Sequence, residues 1–377
     1  VNYFTNEQPI ESDRRTELIQ GLKNLQIFSK VNIQSENDEL LIDLEEKWTT
    51  IPILKFSSGG GVTQTTVGLY DPNIFGKYVE TGLQVEQLAQ EMSAVTWFKN
   101  PRLFDQRILL DMQLWSINRI RLFYDPTQDD AIENDAYVQN KQKIYIGIEP
   151  ELNSEMTLKF SAEHNNDSFN RNSISEQMKA LYQTKALPDS DEILIFGLGF
   201  DYGRLDWNNF LFDGHKFSLN LRRASVRDKN EKDFFQTDLS YIYGVTLSSN
   251  STFAQRFLLS GTSSELIQYR NYFGGLDRIR GFKDNRFNGK YSFLSNTEYR
   301  IPVVENHSYV VQIAAFADLL FLSESLSELS SLTAGSVGAG IRLILPKIYR
   351  FTIRADLAKP FRKSDDQTLS VGVQQFF

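Results

Sequence analysis

Cysteine is absent from the 377 residues, histidine occurs three times, and no window approaches eighteen consecutive apolar residues. Without cysteine, disulfide frameworks and thiolate metal sites are excluded, and an oxidising compartment is a natural setting. The histidines, His164, His215 and His307, lack metal-ligand spacing and read as solvated side chains near strand ends. With no long apolar run, neither a transmembrane helix nor a signal peptide is expected in this stretch. Basic charge is also in deficit: 40 Lys and Arg against 48 Asp and Glu leave a net charge of -8, which argues against nucleic acid as a partner. No glycine-rich phosphate loop precedes a helix and no Gly-x-Ser-x-Gly elbow occurs. The chain therefore reads as no enzyme, with no catalytic residue, no cofactor and no metal.

A membrane is not excluded, because a barrel strand needs only about ten residues with every second one apolar. That pattern dominates from Ile51 onward. Ile144, Ile146 and Ile148 oppose Lys143, Tyr145, Gly147 and Glu149, and Phe351, Ile353, Ala355 and Leu357 oppose Arg350, Thr352, Arg354 and Asp356. From Phe235 to Leu247 the alternation outlasts the five or six residues usual in a soluble sandwich strand. Long strands with one greasy and one charged face suit a closed antiparallel barrel, greasy toward lipid and charged toward a wet lumen; a large soluble β fold is the alternative. Residues 51–377, at roughly twenty residues per strand and connection, make about sixteen strands. Residues 1–48 differ: Leu18, Ile19, Leu22 and Leu25 share a helix face, and Val31, Ile33 and then Leu40, Ile42, Leu44 alternate as two short strands.

Connections fall into a short set, such as residues 71–76, 100–105 and 346–348, and a long polar set, 126–136, 165–191, 262–290, 323–331 and 362–367. Short turns on one rim and long loops on the other are expected of outer-membrane barrels. Leu205 to Gly214 is a long connection on the short rim and fits this scheme poorly. Ser175 to Thr184 forms one or two helical turns at the surface. In the longest loop, Phe273 to Arg286 gathers Gly274, Gly275 and Gly281 with Arg278, Arg280, Lys283 and Arg286, a basic tip that needs anionic partners. By alternation Leu294, Asn296, Glu298 and Arg300 face the lumen on one strand and Gln312, Ala314, Phe316 and Asp318 on the next. Both carboxylates are then candidates for a guanidinium fork.

The run Phe273-Gly-Gly-Leu-Asp-Arg-Ile-Arg-Gly-Phe282, with Asn285-Arg286-Phe287 and the strand Ser295 to Pro302, resembles the bacterial surface antigen signature of the BamA/TamA superfamily. Gly68 to Gly76 is similar to that family's second strand and first turn, and Lys99-Asn100-Pro101 to a later turn. Residues 11–48 resemble the end of a POTRA domain, whose first strand and helix are missing or reduced to residues 1–10. The resemblance implies an all-β transmembrane barrel in the bacterial outer membrane over residues 51–377, with the loop 262–290 folded inward and a POTRA-like segment, residues 1–48, in the periplasm. It makes Ile279, Arg280, Gly281 and Phe282 the loop-tip motif and pairs Arg280 with Glu298 and Asp318 beside Phe316. Leu320 stands where the family has glycine, which puts the packing under the tip in question.

The last strand, Leu369 to Phe377, contains Gly372 and ends in an aromatic residue; the first, Ile53 to Ser58, runs into Gly59, Gly60 and Gly61. Glycine weakens strand pairing, so closure between these strands is expected to be the weakest ladder, an openable seam far from the loop tip in sequence. The same glycines also serve a tight bend. Three functions follow from the resemblance: an assembly factor that inserts nascent outer-membrane proteins through the seam, a two-partner-type pore for a secreted polypeptide, or a non-catalytic anchoring or lipid-handling barrel. The partners implied are nascent or secreted chains, the lipid bilayer and periplasmic accessory proteins.

Overall fold

Strands of thirteen to eighteen residues require every backbone donor and acceptor to find a partner across many residues, and one continuous sheet supplies it. The computed structural model describes residues 12–36, 39–59, 62–88, 91–124, 133–227, 232–247, 250–275, 278–283, 285–361 and 368–373. Helix α1 (Ser12–Asn24) precedes a hairpin of β1 (Phe28–Glu36) and β2 (Glu39–Glu46). The wall begins with β3 (Ile51–Gly59), β4 (Val62–Ile74), β5 (Val79–Leu88), β6 (Glu91–Asn100), β7 (Ile108–Tyr124), β8 (Glu133–Pro150) and β9 (Met156–Asn170). After α2 (Glu176–Tyr182) it continues through β10 (Asp191–Asn208), β11 (Leu211–Val226), β12 (Phe234–Thr246) and β13 (Thr252–Thr262). A small hairpin, β14 (Asn271–Phe273) and β15 (Phe287–Gly289), interrupts it before β16 (Tyr291–Glu305), β17 (Val310–Ser323), β18 (Leu332–Ile344), β19 (Thr352–Pro360) and β20 (Thr368–Val373).

Sixteen of these strands form one antiparallel sheet in chain order from β3 to β20, with only β14 and β15 left out. This is the expected barrel. Its outward residues are exposed and aliphatic or aromatic, among them Leu83, Leu114, Ile144, Phe196, Leu198 and Ile341. Facing the lumen are charged residues that pair across strands, as where Lys159 and Lys216 each approach Asp201 at 2.9 Å.

Leu205 to Gly214 is not a loop. Leu205↔Gly214, Asp206↔Asp213, Trp207↔Phe212 and Asn208↔Leu211 continue the β10–β11 ladder to a tight hairpin with Asn209 at φ 56. The Trp207 and Phe212 rings, 4.9 Å apart, cross-link the two strands and favour ladder over loop. The extended hairpin serves as a dock: Asn24 of α1 donates to Asp206 Oδ1 and accepts from Trp207 N, both at 2.8 Å, and Gln20 Nε2 donates to the Trp207 carbonyl at 3.0 Å. On the same rim Trp48 N donates to the Lys347 carbonyl (2.8 Å), Tyr349 N to the Trp48 carbonyl (2.9 Å) and Arg350 Nε to Gln26 Oε1 (2.9 Å). Ile27, Ile51 and Tyr349 close the junction as an apolar cluster.

Half-buried at this junction, Lys47 is pushed down to about 8, first by loss of water and then by the neighbouring Arg350 guanidinium. An undocked Lys47 keeps its ordinary value near 10.5, so the undocked state binds more protons in between and docking strengthens as pH rises from about 7 to 10. Chymotryptic cleavage after Trp48 should therefore slow over that range in the native chain, relative to a Lys47→Met variant. Parallel pH profiles for the two would refute the coupling.

Candidate functional site

The loop between β13 and β16 enters the lumen and is held on two separate stretches of the wall, β9–β12 and β16–β19. Its first anchor is Tyr269, which packs with Ile193, Ile195, Ala224, Phe234 and Leu266. The Tyr269 hydroxyl donates to Asp167 Oδ2 at 3.2 Å and accepts from Asn165 Nδ2 at 3.1 Å, with Gln139 Nε2 also on Asp167 at 2.7 Å. Alternation had placed no partner here, because a tyrosine in a loop carries no signal of which strand it will reach.

The second anchor is the tip. Gly274, Gly275 and Gly281 have φ of 140°, 74° and 91°, conformations open to glycine, and Gly275 N donates to the Phe282 carbonyl at 2.9 Å across the turn. Ile279 and Phe282 bury among Phe273, Phe287, Leu294, Leu320 and Ala334, while Arg280 points the other way along the wall. Leu320, the departure from the family pattern, is fully buried in this cluster and supplies packing beneath the tip. The Arg280 guanidinium forks onto Asp318, Nε to Oδ2 at 2.8 Å and Nη2 to Oδ1 at 2.9 Å, and its Nη1 donates to Glu298 Oε2 at 2.9 Å. The Arg280 backbone N–H also donates to Asp318, at 3.1 Å, and the guanidinium lies 3.5 Å over the Phe316 ring. Gly338 makes room for that ring, since a Cβ there would come 2.3 Å from Phe316 Cζ.

Further charges join that were not anticipated as partners. Glu298 accepts from Arg300 Nε at 3.1 Å and Arg342 Nη2 at 2.8 Å, and Arg342 Nη1 donates to Asp356 Oδ1 at 2.6 Å. Asp356 lies 4.0 Å from Arg280 and 3.6 Å from Arg354. All of these side chains are at least 98% buried, so the cluster is a closed ionic lattice spanning β16 to β19. Arg354 and Asp356 were legible as members of a charged face; that they converge on Arg280 follows from strand register alone. Asn296 reinforces the lattice, donating to Asp318 Oδ1 at 2.8 Å and the Arg278 carbonyl at 2.9 Å.

The tip also reaches the last strand. Thr368 Oγ1 of β20 donates to the Gly281 carbonyl at 3.3 Å, and a Cβ on Gly281 would stand 3.1 Å from Ala358 Cβ and 3.3 Å from Pro360 Cγ. The expected separation between tip and closing strand is thus one of sequence only. Gly281→Val combines a disfavoured φ with this crowding and should lift the tip off β19 and β20, with a loss of about 1–3 kcal/mol in loop stability. Hydrogen exchange of residues 278–283 would report it, and native-like protection in the variant would show that the glycine is dispensable.

Among the described residues no ladder joins β3 to β20; β3 pairs only with β4, and β20 only with β19. Gly59 ends β3 opposite Val62 at the loop-side tip of the first hairpin, and Gly372 pairs with Arg354. Gly60, Gly61 and Phe377 lie outside the described residues. No group of three or more His, Asp or Glu is arranged to hold a metal among the described residues.

Residues 55–377 match the model of the Omp85 superfamily domain. The chain belongs to the Omp85 superfamily. The fold agrees with that of solved structures at low identity. BamA from Haemophilus ducreyi lacking POTRA domains 1–3 superposes with a TM-score of 0.58 at 11% identity, covering 96% of this chain and 78% of that one. CdiB from Escherichia coli gives 0.64 at 14% identity, covering 91% and 66%. CdiB from Acinetobacter baumannii gives 0.58 at 14%, covering 95% and 67%. A sequence comparison with curated proteins returned no match. As an Omp85 barrel the protein belongs to the outer membrane.

Proposed function

We propose that this protein is a non-enzymatic outer-membrane assembly factor whose working site is the pair of facing edges, β3 and β20, with the docked α1–β1–β2 segment in the periplasm and the long loops outside. The observation that carries the reading is the missing ladder between those edges among the described residues. An unpaired strand edge offers a row of backbone donors and acceptors that an incoming strand can complete, so the seam can template a nascent barrel strand and release it sideways into lipid. Among the described residues the β20 ladder runs from Ile353↔Val373 to Ala358↔Thr368, six pairs against the nine of β3 with β4. Accessory proteins would meet the periplasmic rim.

A polypeptide-conducting lumen is the alternative, and the doubly anchored loop counts against it, since Tyr269 and Arg280 fix one segment inside the lumen at two stretches of the wall. The two are separated in proteoliposomes by following insertion of an unfolded outer-membrane protein and, in parallel, ion conductance. Insertion that stops when the seam is cross-linked supports assembly; conductance that rises on loop deletion while cross-linking changes nothing supports export.

A further inference from the structure

The outward face of β7, β8 and β9 changes chemistry along its length. Toward the short turns it is aliphatic, with Ile144, Ile146 and Ile148 of β8 between 41% and 59% exposed, as befits side chains that meet acyl chains. On the same face, two and four residues nearer the loops, β8 presents Gln142 and Asn140. Beyond these, Val138 and Ala136 are buried with Ile174 and Tyr182, because α2 packs on the outside of the wall there. The helix expected as loose surface turns is thus an overhang, and a carboxamide belt lies between it and the lipid-facing band.

The belt is a bonded ladder. Asn170 Nδ2 donates to Asn140 Oδ1 at 2.6 Å, Asn140 Nδ2 donates to Asn118 Oδ1 and to Glu91 Oε2 (3.0 Å), and Ser173 Oγ, just ahead of α2, donates to Glu91 Oε1 at 2.7 Å. Directly beneath it a trough of about 420 Å³ opens in the wall, with Leu83, Leu114 and Ile144 in one half and Ser116, Gln142 and Asn166 in the other. The two halves are successive rows of the sheet: Leu114↔Ile144 toward the turns, Ser116↔Gln142 and Gln142↔Asn166 toward the loops. Gln142 and Asn166 have no side-chain hydrogen bond among the described residues. At the far side Glu192 is taken up by Arg227 at 2.7 Å and by His164 at 3.1 Å, and the one lysine in the lining, Lys143, lies 3.9 Å from Glu163 and over the Trp115 ring, so the cations near the trough already have partners.

An aliphatic half that continues the lipid band, capped by free carboxamides, is matched by a lipid whose head group is rich in hydroxyls, because an amide offers donor and acceptor side by side. We propose that the trough holds one glycolipid, its acyl chain along Leu83, Leu114 and Ile144 and its saccharide head group hydrogen-bonded to Gln142 and Asn166 beneath α2. That this is a lipid of the outer leaflet rests on the orientation proposed above; the binding itself does not. Native mass spectrometry of the full chain in detergent, titrated with rough-type lipopolysaccharide or phosphatidylglycerol, tests it and is blind to orientation. One lipopolysaccharide should be retained at a concentration at least about tenfold below that needed for phosphatidylglycerol. Gln142→Leu with Asn166→Leu should abolish the preference, and Thr237→Leu, on the outward face elsewhere in the barrel, should leave it intact. Heat-modifiable gel mobility checks folding; if the double variant fails that check, Gln142→Leu alone should still lower the preference at least about threefold. Equal retention of the two lipids, or a preference that survives in the folded variants, overturns the proposal. Labelling of a cysteine at Ala180 in whole cells reports orientation separately.

Discussion

Replacing Arg280 with alanine should release the loop tip and abolish insertion activity while the barrel still forms. The argument is one of burial. Asp318 is fully buried and accepts both prongs of the Arg280 fork; without them its remaining side-chain donor is Asn296. Removing one partner of a buried ion pair costs about 3–5 kcal/mol, chiefly because the other charge stays behind uncompensated. Glu298 suffers less, since Arg300 and Arg342 still reach it. Carried into local opening, that cost should raise proteolysis within residues 274–286 about a hundredfold or more. Arg280→Lys should fall between, because an ammonium keeps the charge and loses the fork. Adding Asp318→Asn to Arg280→Ala should recover part of the loss, since the orphaned charge is gone. Unchanged proteolysis and insertion in Arg280→Ala would remove the lattice from any account of function.

Locking the seam should be as damaging. The native chain has no cysteine, so a panel of single pairs between residues 51–54 and 369–373 introduces the only thiols. Pairs that oxidise should lose insertion activity about tenfold or more and regain it with reductant, because a tied edge can no longer accept a strand. Full activity in the oxidised state would sink the assembly reading and leave the lumen as the route. The two experiments are linked through Thr368, whose contact with the Gly281 carbonyl joins the tip to β20. Arg280→Ala should therefore also raise cross-linking heterogeneity at the seam by loosening the closing strand.

Much of this protein was legible without coordinates. A period of two determines which face each side chain takes, and from it came the barrel, the lipid-facing surface and the lumenal placement of Glu298, Phe316 and Asp318; the strand number came from the length of residues 51–377 at roughly twenty per strand and connection. Arg280 as their partner came from the motif resemblance. Leu205 to Gly214 misread as a loop because Gly203 and Gly214, both at positive φ, break the alternation without breaking the ladder. The Leu320 substitution looked like a defect and is a packed core residue, since a volume change is judged by its neighbours and those lie on other strands.

What only the tertiary structure decided is which residues on a given face meet. Alternation sorts residues inward or outward, yet it is silent on the stagger between strands, and stagger alone brings Arg342 and Asp356 to Glu298 and Arg280. The same holds for Tyr269 on Asp167, for Thr368 on Gly281 across 87 residues, and for α2 over Val138. Sequence by itself determined the wall and its two faces, because side-chain direction is local backbone geometry. The lattice and the overhang were decided by register, which is set only when each strand has paired with its neighbours along its length.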